Sequence, residues 1–221
     1  MTLTSSARGD AQSTGSLADR LAADLRPLVP HARGWPLGPA ALLGLAAAAV
    51  LVIAGGLRSD LPTAVVTLPF WVKLVAAGWS AGSALLMLDR AGRPGSPAIP
   101  WRWVIAPPLL LLAVVALAQL TMGGGGAVFW LGGSWNRCTP RIVLLAVPVA
   151  IVLVRASGQL APTRVCAAST ALGVAAGAIA AGAYSLSCTE VSAGFVMLWY
   201  SLGIGVSALL GRVLAPGWLR W

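Results

Sequence analysis

Six apolar segments, each about twenty residues long, constrain the fold of this chain more than any other feature. They lie near residues 36–57, 69–88, 103–122, 138–157, 165–186 and 191–213. A helix of roughly 20 apolar residues crosses a hydrocarbon core of about 30 Å. Because lipid cannot satisfy exposed backbone groups, apolar segments of this length are expected to be helical. The sequence therefore predicts an all-α, polytopic membrane protein, a bundle of six transmembrane helices.

Composition and charge agree with a lipid solvent. The 221 residues are 58% hydrophobic and only 10% charged, whereas soluble domains carry about 25% charged residues. The formal net charge is +9, but the Arg residues are scattered singly or in pairs between the apolar runs. Cations distributed in this way determine the orientation of the spans and contact lipid head groups. They do not form the clustered basic face that binds nucleic acid. We expect membrane lipid as a partner and no direct contact with nucleic acid.

The distribution of positive charge predicts the orientation. Eleven Lys and Arg residues fall on the side of the two termini and four on the opposite side. The positive-inside bias therefore places both termini in the cytoplasm. The predicted organisation is a cytoplasmic tail (1–34), a six-span domain (35–214) and a short cytoplasmic C-terminal tail (215–221).

The N-terminal tail contains a short amphipathic pattern. Leu residues recur at steps of four, four and three from Leu17, with charged residues between them, which predicts a cytoplasmic helix over residues 17–26. Pro27 ends it. A helix of about three turns is marginal alone in water, so it requires a surface, either a groove on a partner protein or the inner leaflet. The candidate partner-binding residues are Leu17, Arg20, Leu21, Asp24, Leu25, Arg26 and Leu28.

The predicted topology assigns the three cysteines to different sides of the membrane. Cys138 begins the fourth span and Cys188 lies in the short loop after the fifth, so both belong to the outer side of the membrane. Two thiols at one depth could form a disulfide, or present a thiolate pair to a soft metal ion or an oxidant. Glu190 is a candidate further ligand, although such a residue is more often a solvated loop acid. Cys166, at the other end of the fifth span, is expected to be a small buried hydrophobe.

Other polar groups offer no catalytic arrangement. The single His, His31, lies in the N-terminal tail, which excludes a His-rich metal centre and gives no support to a Ser-His-Asp site. We expect neither an enzyme nor a cofactor. Lys73 lies inside a span and is expected to extend its ammonium group to the interface. The glycines of the fifth and sixth spans predict closely packed helices.

The chain resembles the NrsF family of six-span membrane anti-sigma factors, which repress ECF sigma factors. The resemblance runs from about Leu17 to Trp221 and is most specific in the run LAADLRP; it includes the LRSD sequence after the first span and both outer-side cysteines. It implies a bacterial inner-membrane protein whose N-terminal helix holds a sigma factor. It also implies that Cys138 and Cys188, on the periplasmic side, participate in perceiving a stress signal.

The sequence departs from that family at two positions. Family members often carry His just before the second cysteine and another in the sixth span, where this chain has Ser187 and, approximately, Tyr200. The departure favours sensing by thiol chemistry over sensing by a metal ion. The alternative hypotheses are a small transporter or thiol-disulfide redox protein, and a structural subunit of a larger complex.

Overall fold

The computed structural model describes residues 37–93, 95–123, 125–158 and 164–219. The predicted N-terminal helix over 17–26, with candidate binding residues as far as Leu28, lies outside these residues.

The described elements are all helical. They are α1 (Leu37–Ala54), α2 (Leu61–Ala64), α3 (Leu68–Ala91), α4 (Arg102–Thr121), α5 (Ala127–Leu131), α6 (Trp135–Ser157), α7 (Val165–Tyr184), α8 (Ala193–Phe195), a π-helix (Val196–Tyr200), α9 (Ser201–Leu214) and α10 (Pro216–Leu219). Within the described residues, six helical segments are long and apolar enough to cross a membrane: Leu37–Ala54, Leu68–Ala91, Arg102–Thr121, Ala127–Ser157, Val165–Tyr184 and Ala193–Leu214. This confirms the predicted all-α fold with six candidate spans.

Helix α7 lies at the centre of the bundle. It packs against α1, α3, α6 and α9, and most of its residues are buried. Most of its residues are Gly, Ala or Ser, which let neighbouring backbones approach closely. A Cβ atom added at Gly173 would lie 2.4 Å from the carbonyl oxygen of Ser207, and one added at Gly211 would lie 2.7 Å from the Cα atom of Gly173. The close packing expected from the glycines is thus found between α7 and α9 of the same chain.

The fourth span begins earlier than the sequence indicates. The short helix α5 precedes α6, and the chain turns between them at Gly132, whose φ of 60° favours glycine. Because α6 begins with polar residues, the hydropathy pattern did not show that the span extends back into α5. Both helices together form the segment Ala127–Ser157.

The sixth span contains an irregular turn. The Ser192 hydroxyl accepts a hydrogen bond from the Phe195 N–H at the start of α8, and the π-helix Val196–Tyr200 connects α8 to α9. A π-turn carries one residue more than an α-turn, and such turns occur frequently at functional sites. In this protein the turn ends at Tyr200, so this end of the bundle is a candidate location for a functional site.

Candidate functional site

Cys138 and Cys188 are brought together at one end of the bundle. Cys138 lies in the first turn of α6, and Cys188 lies in residues 185–192 between α7 and α8, here named the cysteine loop. Both side chains are free thiols and both are buried. They are direct neighbours, and the interaction between them is the largest influence on the ionisation of each. The sequence placed them at the same membrane depth, and the structure adds that they adjoin.

Two cations bind the cysteine loop: Arg58, in the segment between the first and second spans, and Lys73, in the second span. The Arg58 backbone N–H donates to the carbonyl of Leu186 at 3.2 Å, and the Arg58 guanidinium donates to the carbonyl of Cys188 at 3.0 Å. The same guanidinium forms an ion pair with Asp60, with 2.6 Å between Nη2 and Oδ2. Lys73 of α3 donates from its ammonium group to the carbonyl of Glu190. The loop backbone therefore serves as the acceptor for two buried cations.

Further hydrogen bonds fix the loop to the other half of the bundle. The Glu190 carboxylate accepts hydrogen bonds from the Gly133 N–H at 2.8 Å and the Ser134 hydroxyl at 3.1 Å. At the end of α4, Gln119 donates to the Val191 carbonyl at 3.2 Å and accepts from the Ala193 N–H at 2.8 Å. The segments before α3 and α6, and helices α3 and α4, thus all contact one eight-residue loop. A change in the conformation of this loop would alter its contacts with most of the bundle.

The electrostatic surroundings favour the thiolate form of Cys188. A hydrogen bond from the Cys138 thiol, followed by the charge of the Lys73 ammonium group, holds the pKa of the Cys188 thiol below its ordinary value, although burial acts in the opposite direction. A thiolate is the nucleophilic and oxidisable form of cysteine. The pair therefore consists of a polarised Cys188 and a neighbouring thiol that can donate to it.

Tyr200 completes the buried polar cluster. Its side chain is 3% exposed, and within the described residues its hydroxyl has no hydrogen-bond partner. Both cysteines are near enough to influence its ionisation, and its ring lies 6.2 Å from that of Tyr184, measured between centroids. An unsatisfied buried hydroxyl is costly, and this one lies against the cysteine pair.

The same residues do not form an evident metal centre. Within the described ranges, no group of three or more His, Cys, Asp or Glu side chains is positioned to hold a metal ion. Glu190, the candidate further ligand, directs Oε1 to Gly133 and Ser134. The chemistry that the cluster supports best is that of a thiol pair.

Two expectations from the sequence are wrong in detail. Lys73 does not extend to the interface; it is 3% exposed, because the carbonyl of Glu190 supplies an acceptor inside the bundle. Cys166 is exposed, because it lies in the first turn of α7 and faces away from the packed side. Sequence reasoning also missed Arg58 as a loop-fixing residue, although its place in the LRSD sequence after the first span was a usable signal.

Fold and site together define a polytopic α-helical membrane protein with a buried thiol pair at one end of its bundle. A family model described as negative regulator of sigma F (NrsF) matches residues 21–221. The chain is 35% identical over 193 residues to the probable anti-sigma-F factor NrsF of Azospira oryzae, covering 85% of this chain and 86% of that protein. It is 34% identical over 219 residues to the anti-sigma-F factor NrsF of Caulobacter vibrioides, covering 94% and 99%.

The chain therefore belongs to the NrsF family of negative regulators of sigma F, as its resemblance implied. The family is regulatory and not enzymatic. No solved structure matches the chain.

Proposed function

We propose that this protein is an anti-sigma factor of the bacterial inner membrane that binds an ECF sigma factor through residues 17–28 and releases it when the Cys138–Cys188 pair is modified. In this arrangement both termini are cytoplasmic and the cysteine loop faces the periplasm. Family membership supports the regulatory role. The observation that carries the sensing part is the adjacency of two free, buried thiols, one of them in a loop that hydrogen bonds fix to several other segments.

The sensing chemistry is the formation of a disulfide. An external two-electron oxidant removes two electrons and two protons from the Cys138 and Cys188 thiols, and an S–S bond forms between the sulfurs. The polarised Cys188 thiol reacts first, and Cys138 then attacks the oxidised sulfur. Neighbouring thiols need little backbone movement to meet the geometric requirements of the bond.

The loop connects this chemistry to the rest of the bundle. A disulfide would tie the loop to the first turn of α6, next to Gly133 and Ser134, which the Glu190 carboxylate already binds. The new bond favours one packing of the bundle over another, and a ligand or modification shifts a conformational equilibrium only through such a difference. The shift is what alters access to the N-terminal segment.

The experiment is a pull-down of the solubilised protein followed by mass spectrometry of the captured proteins. Three forms are compared: the full chain, a form lacking residues 2–16, and a form lacking residues 2–30. Capture of a sigma factor by the first two and not by the third would support binding through residues 17–28. Capture by all three would refute the location of the contact, and capture by none would refute the anti-sigma role.

The sensing part is tested on the same complex. Treatment with a thiol oxidant should release the sigma factor from the wild-type chain and not from the Cys138→Ser or Cys188→Ser variants. The matched control is Cys166→Ser, which removes an exposed thiol and should respond like the wild type. Release from the Cys188→Ser variant would refute sensing by this pair. A turnover or solute flux that depends on the pair would favour the redox or transport alternative.

A further inference from the structure

Among the side chains that the structure describes, the hydroxyl of Tyr200 is the one fully buried polar group without a hydrogen-bond partner. It lies against Cys188, close enough for each group to influence the ionisation of the other. A buried hydroxyl without a partner costs free energy, and native structures seldom leave one without a reason. The adjoining thiol pair, whose polar atoms change on oxidation, supplies such a reason.

The side chain of Tyr200 is held in this place by its surroundings. The residue ends the π-helix Val196–Tyr200, it is buried, and its ring packs against the ring of Tyr184 with 6.2 Å between the centroids. Because a packed interior leaves little free volume, the ring cannot swing its hydroxyl to a distant acceptor. The hydroxyl therefore stays beside the cysteine pair.

The neighbouring polar side chains already have acceptors. Four of them donate to backbone carbonyls, and these are the hydroxyls of Ser185 and Ser187, the guanidinium of Arg58 and the ammonium group of Lys73. They fix the cysteine loop in the form of the protein that contains free thiols. The Tyr200 hydroxyl makes no such bond, so it is a donor that this form does not use.

Oxidation of Cys188 would bring an acceptor to the Tyr200 hydroxyl. A thiolate oxidised by a hydroperoxide passes through a sulfenic acid, in which one oxygen atom is bonded to the sulfur. A thiol sulfur is only a weak acceptor, whereas a hydroxyl oxygen is a good one. Since the Tyr200 hydroxyl adjoins the sulfur, an oxygen atom attached to that sulfur comes within its reach.

We propose that Tyr200 is the hydrogen-bond donor for the oxygen atom that Cys188 gains when a hydroperoxide oxidises it to a sulfenic acid. This inference rests on the proposed function, because it concerns the intermediate that precedes the Cys138–Cys188 disulfide. Both thiols are buried, so the oxidant has to be small, and hydrogen peroxide meets this condition.

The reaction has two steps. The sulfur of the ionised Cys188 attacks one oxygen of hydrogen peroxide; an S–O bond forms, the O–O bond breaks, and the departing hydroxide takes up the proton released by the thiol to become water. The Cys138 thiol then attacks the Cys188 sulfur. An S–S bond forms, the S–O bond breaks, and the hydroxyl group leaves with the Cys138 proton as a second water. Two thiols are oxidised and one peroxide is reduced.

The donor favours the oxidised intermediate over the thiol. In the thiol form the hydroxyl gains nothing, while in the sulfenic form it makes a hydrogen bond in surroundings of low polarity. The bond also stabilises the charge that develops on the oxygen as it arrives on the sulfur and as it departs. Loss of the hydroxyl should therefore slow the reaction with peroxide about tenfold to a hundredfold.

The experiment compares two reactions of the same sulfur. The full-length protein with Cys138→Ser and Cys166→Ser, in which Cys188 is the sole cysteine, is reconstituted in phosphatidylcholine nanodiscs. One reaction is oxidation by hydrogen peroxide, followed by trapping the sulfenic acid with dimedone and measuring the intact mass. The other is alkylation by iodoacetamide, which requires the same access and the same thiolate but places no oxygen on the sulfur.

Two conservative variants are compared in this background. Tyr200→Phe removes the unpaired hydroxyl, and Tyr184→Phe removes the hydroxyl of the adjacent ring, which lies near Arg141. The ratio of the oxidation rate to the alkylation rate should fall at least about tenfold with Tyr200→Phe and stay within about twofold with Tyr184→Phe. Because the lost hydroxyl has no partner in the thiol form, Tyr200→Phe should not lower the thermal midpoint of the reduced protein.

Four results would overturn the proposal. An unchanged ratio with Tyr200→Phe would mean that the hydroxyl does not contact the oxygen, and an equal fall with Tyr184→Phe would mean that the effect is not specific to it. A lower thermal midpoint of the reduced Tyr200→Phe protein would mean that the hydroxyl already has a partner. Absence of any trapped sulfenic acid would refute the oxidation of Cys188 itself, and with it the sensing chemistry proposed above, whereas the first three results leave that chemistry intact.

Discussion

The interaction between the two neighbouring thiols leads to a quantitative prediction about the reactivity of Cys188. Two variants leave Cys188 as the sole cysteine: Cys138→Ser with Cys166→Ser, and Cys138→Ala with Cys166→Ser. The serine hydroxyl can still donate to the Cys188 sulfur, whereas alanine cannot. The two proteins therefore differ in the interaction that contributes most to lowering the pKa of Cys188.

The magnitude follows from the usual strength of a hydrogen bond to a charged group. A hydrogen bond to a charged group contributes about 1.5–3 kcal/mol, and about 1.36 kcal/mol corresponds to one pH unit in an ionisation equilibrium. Losing it destabilises the thiolate, so the alkylation of Cys188 should reach half its maximal rate about one to two pH units higher in the alanine variant. Below both midpoints the alanine variant should react about tenfold to a hundredfold more slowly.

The assay is the rate of alkylation by iodoacetamide between pH 5 and pH 10. The plateau rate at high pH reports access to the buried sulfur, and the midpoint reports its ionisation, so a change in access does not imitate the predicted effect. Equal midpoints in the two variants, or a lower midpoint with alanine, would refute the view that Cys138 stabilises the Cys188 thiolate.

Three further perturbations address the packing and the loop. Gly173→Ala, whose Cβ would lie 2.4 Å from a backbone oxygen of α9, should destabilise the bundle by about 1–3 kcal/mol in denaturant unfolding, whereas Gly205→Ala should not. Glu190→Ala should lower the thermal midpoint by removing the acceptor of two hydrogen bonds, and Glu190→Gln, which keeps an acceptor oxygen, should lower it less. Hydrogen bonds from Arg58 lower the pKa of Asp60, so the stability gained from that carboxylate is present above its unfolded pKa and is lost as pH falls through the lowered value. Thermal unfolding from pH 6 to pH 3 should show this acid-induced loss in the wild type, and a loss of the same size in Asp60→Asn would contradict it.

The sequence predicted the fold well because hydrocarbon leaves few alternatives. Each apolar segment had to be helical to satisfy its backbone, so length and hydropathy were enough to identify all six. Lys73 was misplaced because hydropathy treats a charged side chain as a group that seeks water. Hydropathy carries no information about the backbone carbonyl of Glu190, which supplies an acceptor inside the bundle.

For a related reason, only part of the candidate site could be predicted from the sequence. Topology placed Cys138 and Cys188 at one membrane depth, but their adjacency depends on how α6 and α7 pack, which no periodicity in one sequence reports. Tyr200 was noted only as a departure from a family pattern. The finding that its hydroxyl lacks a hydrogen-bond partner among the described residues is a property of the folded bundle and has no counterpart in the sequence.

The π-helix Val196–Tyr200 determines which residues of α9 face the rest of the bundle. Each helical residue turns the chain by about 100°, so one additional residue in a turn rotates α9 by that amount relative to an uninterrupted helix. With one residue fewer, Ile204 would occupy the position of Gly203, and Arg212 that of Gly211. Because Gly211 lies against the backbone of α7, with no space even for a Cβ atom, an arginine there is incompatible with the packed bundle. The additional residue beside the cysteine loop is therefore what keeps a glycine, rather than an arginine, against α7 nearly three helical turns away.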